Sequence, residues 1–327
     1  MRLVESRSPL PDEWDSIWRE CPYATYFHSR EWAELWASYT QGRLTLDARL
    51  LQFEDGKRLL LPLMVRGKFG GLIKRWVSSP GNTFGGWISR DELNTTHITL
   101  ATKYIQQNLS SLQLRLNPYN ESLVGFRLGR IIEDSTRVLR LTEGFDATIK
   151  TWTKGHRSAA NKAMGLGVTI RCAASLEDWR AYYAVYQDSL RRWGDRATTR
   201  YDWSLFEQME RLNTSNIRLW LAMFGGNVIG GALCLYSPRH IAYWHGSAIE
   251  EYFHLRPVHL LIREIIRDAS NKNYDWFDFN PSSGIKGVDA FKKGFGTTAL
   301  PCPVLTHEHF PFVLLREFRC VLRRYTS

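Results

Sequence analysis

Apolar and polar residues along this chain follow first a helical and then an alternating spacing, and the order of the resulting elements repeats. Residues 11–21 and 29–39 carry apolar positions at helical spacing, with Ser29 placed as an N-cap and Trp32, Leu35 and Trp36 on one face. Residues 44–53, a tight turn at Glu54-Asp55-Gly56, and 58–65 read as a hairpin, and 72–78 as a third strand opening into the loop 79–86. A helix over 91–109 and a strand over 112–116, closed by Asn117-Pro118, complete the set. The second half has a strand at 167–172, then helices over 176–193 and from Asp202 to Leu212. Strands follow at 217–223, 228–236 and 241–246. A helix beginning near Pro257, with an apolar stripe at 258, 261, 262, 265, 266 and 269, leads to a strand at 276–279 closed by Asn280-Pro281. Phe126-Arg127 after the first set matches Phe291-Lys292 after the second.

Seven elements in the same order twice predict an α/β (α+β) chain of two tandem domains, each a mixed sheet flanked by helices, with a cleft between them. The expected bounds are 1–143 and 165–310, joined by a basic linker helix over 144–164 that contains Lys154, His156, Arg157 and Lys162. A basic amphipathic helix over 311–327 follows.

Composition narrows the partners. At 327 residues, 44% apolar and 23% charged, the chain suits two packed domains. A net charge of +10 favours anionic partners: nucleotides, phosphate-bearing carriers, RNA or a membrane face. Five scattered Cys without a C-x-x-C pair suggest neither a disulfide framework nor a metal site, so no metal is expected. No apolar signal core opens the sequence and no run is long enough to span a bilayer, so a cytoplasmic protein is expected. On 311–325 the apolar residues face one way and Arg316, Arg319, Arg323 and Arg324 the other. Such a helix either docks on its own domain or lies on an anionic membrane as a peripheral contact.

The stretch 274–296, YDWFDFNPSSGIKGVDAFKKGFG, runs from a buried strand through a glycine-bearing loop to a cationic aromatic cluster. Together with PYATYFHSREWAELW (22–36), RSAANKAMGLGVTI (157–170) and IGGALCLYSPRHIAYWHGSA (229–248), it resembles the Fem-type peptidyltransferases and related GNAT-like acyltransferases. The resemblance covers nearly the whole chain, and the Phe-Lys pair before Phe-Gly is its most specific part. It implies transfer of an aminoacyl or acyl group to an amine, with the donor, aminoacyl-tRNA or acyl-CoA, acting as a substrate and no cofactor held. The implied acceptor is an anionic, nucleotide- or lipid-linked cell-envelope precursor. Lys292 takes the position of the lysine that stabilises the reacting carbonyl, with Phe291 beside it. Arg200 lies where the family contacts acceptor phosphates, and Tyr243 and His245 lie on the strand that carries a cleft-lining tyrosine. The chain departs from the pattern in having Trp36 where some members have a phosphate-contacting lysine, in lacking a coiled-coil arm, and in lacking the R/Q-x-x-G-x-G/A loop for coenzyme A.

Acyl transfer to an amine needs positive charge where the oxyanion develops and no nucleophilic side chain. Lys292 is the candidate for that charge, and a solvated loop lysine is its plain alternative. His245 is a candidate proton acceptor or else a hydrogen-bonded core histidine. Asp278 is a candidate for orienting Lys292 or the amine, or a structural carboxylate. Arg157, Lys162 and Arg200 suit phosphate binding, and a surface charge is the plainer alternative for any one of them alone. Asn280, at the end of the strand, joins the candidate binding residues. The reading from another class is a non-catalytic module that holds RNA or an anionic glycan precursor.

Overall fold

A computed structural model describes residues 1–68, 73–123, 126, 128–197, 199–282 and 284–309. The described residues divide into two compact units, Met1–Asp134 with those from Pro301 onward, and Ser135–Leu300.

In the first unit, β1 (Leu3–Arg7) precedes the helices α1 (Pro11–Glu20) and α2 (Arg30–Tyr39). The strands β2 (Thr45–Leu46), β3 (Arg49–Phe53), β4 (Arg58–Leu61), β5 (Met64–Lys68) and β6 (Ile73–Val77) follow, then α3 (Thr95–Asn108), β7 (Ser111–Arg115) and β8 (Arg130–Ile132). Ser29 caps α2 as its residue type predicts, accepting from the Trp32 N–H at 3.1 Å. The expected hairpin is bent. Its arms break after Leu46 and at Pro62-Leu63, so β3 and β4 join β1 in a three-stranded sheet while β2 and β5 enter a second sheet. Pro62 cannot donate to a ladder, and Asp47, whose N–H still donates to the Leu63 carbonyl at 2.9 Å, turns its carboxylate to accept from Trp76 Nε1 at 2.6 Å. The helix expected from 91 starts at Thr95, where Asn94 accepts from the Thr96 and His97 N–H groups.

The second unit opens on β9 (Ser135–Arg140), α4 (Phe145–Thr151), α5 (Lys154–Gly165) and β10 (Thr169–Cys172). Next come α6 (Leu176–Trp193), α7 (Trp203–Leu212), β11 (Ile217–Phe224), β12 (Asn227–Tyr236), β13 (His240–Ala248), α8 (Pro257–Asn271), β14 (Trp276–Pro281), α9 (Lys286–Lys293) and β15 (Thr298–Pro301). The chain then returns to the first unit as β16 (Val304–Glu308).

Each unit thus carries the repeated order on a mixed sheet. The orders are β2-β5-β6-β7-β16-β8 and β10-β11-β12-β13-β14-β9-β15. Each contains a parallel pair beside antiparallel neighbours: β6 with β7, and β13 with β14. In the first unit the core lies between the sheet and α3, built from Trp76, Trp87, Ile105, Leu112 and Leu114. In the second it lies under α5 and α8, built from Ala160, Ala163, Ile262, Ile266, Phe277 and Phe279.

The division of the chain differs from the bounds read off the sequence. Residues 135–143, expected in the first domain, supply β9 to the second sheet, where Val138 and Leu139 pair with Asp278 and Phe277. Residues 301–308, expected in the second domain, supply β16 to the first sheet beside β7. The segment 144–164 is no free linker: it forms two helices, broken at Trp152-Thr153, and Trp152, Ala160 and Ala163 lie in the second core. The basic segment 311–325 lies outside the described residues. Among the described residues no helix is long and apolar enough to cross a membrane.

Candidate active site

The parallel ladder of β13 and β14 is short. It pairs His240 with Trp276, Ile241 with Phe277 and Ala242 with Asp278, and beyond these residues a side chain bridges the two strands. Asn280 Nδ2 donates to the Tyr243 carbonyl at 2.9 Å. Both strands are irregular here. On β14 the register against β9 shifts between Asp278 and Pro281, and Asn280 takes a left-handed φ of +58°. On β13 the register against β12 skips Trp244. A bulge of this kind re-aims the side chains on either side of it.

The β14 bulge is held from within. The Asp278 carboxylate, 1% exposed, accepts from the Asn280 N–H at 2.7 Å and from the Thr136 hydroxyl. With its amide tied down, Asn280 points its carbonyl at Lys292, whose Nζ donates to it at 2.7 Å. Lys292 is 7% exposed, in the last turn of α9, where a cation also complements the helix dipole. The solvated-loop alternative for Lys292 therefore falls: it is a buried ammonium with a fixed acceptor. Lys293, its neighbour, is exposed and pairs with Asp289.

Two glycines and a histidine seat α9. His156 on α5 lies within 3.1 Å of the Phe291 carbonyl through Nε2 and of the Thr153 hydroxyl through Nδ1. The Thr153 N–H donates to the Gly294 carbonyl at 2.9 Å. A Cβ on Gly294 would fall inside the His156 ring, and one on Gly296, which has φ +72°, inside Thr151. The Phe-Lys-Lys-Gly-Phe-Gly run is thereby explained: its glycines let α4 and α5 approach the lysine-bearing helix. Phe291 packs on His156, His259 and Phe295 with ring centroids 5.4, 5.3 and 5.0 Å apart. Burial holds the His156 and His259 pKa values below the ordinary range, that of His259 at about 4.

Lys292, Phe291, Asn280, Asp278 and Tyr243 thus form one constellation. The Tyr243 ring packs on Phe277 and Phe279, and its hydroxyl lies over Gly246, where a Cβ would overlap it. Burial raises the phenol pKa, so Tyr243 is a neutral hydrogen-bonding group.

His245 does not join them. Because Trp244 is skipped, Tyr243 and His245 pair with the adjacent residues Cys234 and Leu233 and turn to opposite faces of the sheet. The imidazole sits among Tyr182, Tyr186 and Phe206, with Nδ1 2.6 Å from the Tyr182 hydroxyl, and burial drives its pKa down to about 3. Of its two expected roles the geometry supports the core histidine. Asp278 likewise acts through the bulge it holds.

The basic residues separate as well. Arg157 donates through Nη1 to the Lys150 and Trp152 carbonyls at 2.8 Å each, closing the end of α4. Arg200 is exposed and donates to the Gly194 carbonyl at 2.6 Å. Lys162 lines a groove of about 380 Å³ with Gly155, Ser158, Arg256 and His259, between α5 and the start of α8. His156 and His259, not counted as site residues from sequence, carried no local signal, since the His156 contact to Phe291 spans 135 positions.

The sequence model of the acetyltransferase (GNAT) domain family matches residues 150–293, a segment that ends one residue after Lys292. This part of the chain is thus similar to acyltransferase domains of the GNAT type. The fold is shared over nearly the whole chain with FemX, at a TM-score of 0.74 and 14% identity, covering 95% of this chain and 99% of that one. It is shared also with L-PGS from Bacillus licheniformis, at a TM-score of 0.57 and 12% identity, covering 98% and 99%. A third match, at a TM-score of 0.56 and 11% identity, is the C-terminal domain of a proposed lysylphosphatidylglycerol synthetase from Agrobacterium fabrum, covering 84% and 88%. No curated protein matches the sequence significantly.

Proposed function

We propose that the second unit transfers an acyl or aminoacyl group, from acyl-CoA or aminoacyl-tRNA, to an amine of an anionic cell-envelope or glycan precursor in the cytoplasm. The observation that carries this reading is the buried Lys292 ammonium, held on the Asn280 carbonyl beside the bridged strands β13 and β14. A neutral amine attacks the donor carbonyl, forming the C–N bond and a tetrahedral oxyanion, whose collapse then breaks the ester or thioester bond. The amine proton leaves with the departing hydroxyl or thiol, or to solvent. Lys292 stabilises the oxyanion between these steps, and its fixed acceptor spares it reorganisation at that moment. Lys162 and Arg256, which line the groove, supply positive charge for a phosphate-bearing donor. The name lysylphosphatidylglycerol synthetase, borne by a relative in fold, joins an aminoacyl group to an anionic lipid, the same pairing of chemistries. Contact of 311–325 with an anionic membrane, where a lipid-linked acceptor would reside, belongs to this proposal.

Calorimetric titration with acetyl-CoA, and in parallel with a charged tRNA pool, tests the donor. Saturable binding of either, with transfer to an amine acceptor lost in Lys292→Ala while binding persists, supports the proposal. Binding without any transfer makes the protein a module that holds its ligand, and silence from both titrants removes both donors.

A further inference from the structure

Two adjacent residues of β9 reach the two partners of the hydrogen bond between Lys292 and Asn280. Thr136, paired with Pro281, donates its hydroxyl to the Asp278 carboxylate, which holds the bulge and so fixes the Asn280 carbonyl. Arg137, the next residue, reaches α9, which lies against this strand. Its guanidinium takes the Asp289 carboxylate in a fork, with Nε donating to Oδ1 at 2.8 Å and Nη2 to Oδ2 at 3.0 Å.

The start of α9 has little else to hold it. Of residues 284–290 only Asp289 is not exposed, and Ile285 at the N-cap offers no side-chain cap. Lys293 also pairs with Asp289, at 3.2 Å, but it belongs to the same helix and cannot tether it. The contacts of His156 with Phe291 and of Thr153 with Gly294 hold the other end. Asp289 stands three positions before Lys292, on the neighbouring turn of the same face. A tilt of α9 about its C-terminal contacts therefore swings the long Lys292 side chain off the Asn280 carbonyl. Exposed ion pairs hold little, but a forked guanidinium–carboxylate pair with side chains 15% and 31% exposed has the geometry that does. The Arg137 guanidinium keeps the Asp289 carboxyl down at about 2, so the pair stays charged at any pH where turnover would be measured.

We propose that Arg137 is a positioning residue for the transfer reaction: with Asp289 it clamps α9 to β9 and sets where the Lys292 ammonium lies, while Thr136 sets the carbonyl that the ammonium meets. One strand thereby aligns donor and acceptor of the same hydrogen bond, and Arg137 acts only through Lys292. A misplacement of about 1 Å at a charge-stabilising group costs on the order of 10²-fold in rate. The role in turnover rests on the acyl-transfer reading, whereas the clamp can be measured without it.

The test compares the full chain with Arg137→Met, which keeps the stem and loses the fork, with Asp289→Asn, and with the double variant. Lys293→Gln is the control, since it removes the other cation on Asp289 and leaves the clamp. Acetylation of the unliganded protein by acetic anhydride, read by mass spectrometry, reports the Lys292 ammonium directly. Lys292, 7% exposed, is expected to be protected in the parent and in Lys293→Gln, and labelled several-fold faster in the other three. Turnover is expected to fall about 10–100-fold in each single variant with KM unchanged, and no further in the double variant, because the two side chains act as one. Parent-level labelling of Lys292 in both single variants, a rise in KM in place of the fall in turnover, or additive losses in the double variant overturns the proposal. So does faster labelling that tracks a lowered urea midpoint, which would be unfolding. Faster labelling with turnover unchanged keeps the clamp but overturns its role in transfer, together with Lys292 as the oxyanion donor.

Discussion

Lys292 and Asn280, twelve positions apart, are joined by a 2.7 Å hydrogen bond from the ammonium to the carbonyl of a residue in the left-handed conformation. Asparagine tolerates that conformation and β-branched residues do not. Asn280→Gly is expected to keep the bulge, lose the side-chain bond to Tyr243 at about 1 kcal/mol, and retain most transfer activity. Asn280→Val is expected to move the carbonyl and lower turnover toward the level of Lys292→Ala, on the order of 10²–10³ below the parent. Turnover measured beside melting curves checks this. Equal activity in the Gly and Val variants would remove the bulge from the mechanism.

Gly294 and His156 are expected to be coupled. Gly294→Ala drives a methyl into the imidazole ring that holds the Phe291 carbonyl, at a cost of about 1–3 kcal/mol and with displacement of Lys292. His156→Ala vacates that space, so the double variant should be more stable than the two single effects added together. A double-mutant cycle in urea measures the coupling. Additive effects would mean that the ring and the methyl never meet.

Since the His245 pKa lies near 3, its imidazole is already neutral across the range in which enzymes usually work, and it is a weak proton acceptor. The acidic limb of the kcat/KM profile between about pH 5 and 8 should therefore be the same in His245→Gln as in the parent. Disappearance of that limb would restore His245 as the base.

His28, fully buried in the first unit, has its pKa lowered by burial from 6.5 to about 4. The unfolded chain then takes up the proton more readily than the folded one. This contribution is fully present above about pH 6.5 and is lost as pH falls from there toward 4, reaching about 2 kcal/mol by pH 5. Urea unfolding at pH 7 and pH 5 should show the loss, and a His28→Gln variant, though less stable overall, should show a smaller difference. An unchanged difference in that variant would place the acid sensitivity elsewhere.

What the sequence determined by itself is local periodicity and its repetition. Helical stripes such as that on α8, the cap at Ser29, and the paired strand ends at Asn117-Pro118 and Asn280-Pro281 each depend on neighbours within a few positions, so they could be read in a window. The run around Lys292 was legible because its glycines and aromatics lie side by side. Tertiary structure decided the rest. Whether residues 135–140 pair with β14 or with a nearer strand depends on edges more than 130 positions away, which no window holds. His245 was misplaced by one residue: strict alternation puts it on the face of Tyr243, and the extra residue at Trp244 reverses every side chain beyond it. Arg157 from its charge, and Arg200 from its charge and the resemblance, were candidates for phosphate or for a solvated surface, and the structure adds what no window shows, a backbone carbonyl at a helix end accepting from each. Charge is written in the sequence, whereas the partner that a charge meets is set by which surfaces the packed sheets bring within hydrogen-bonding distance.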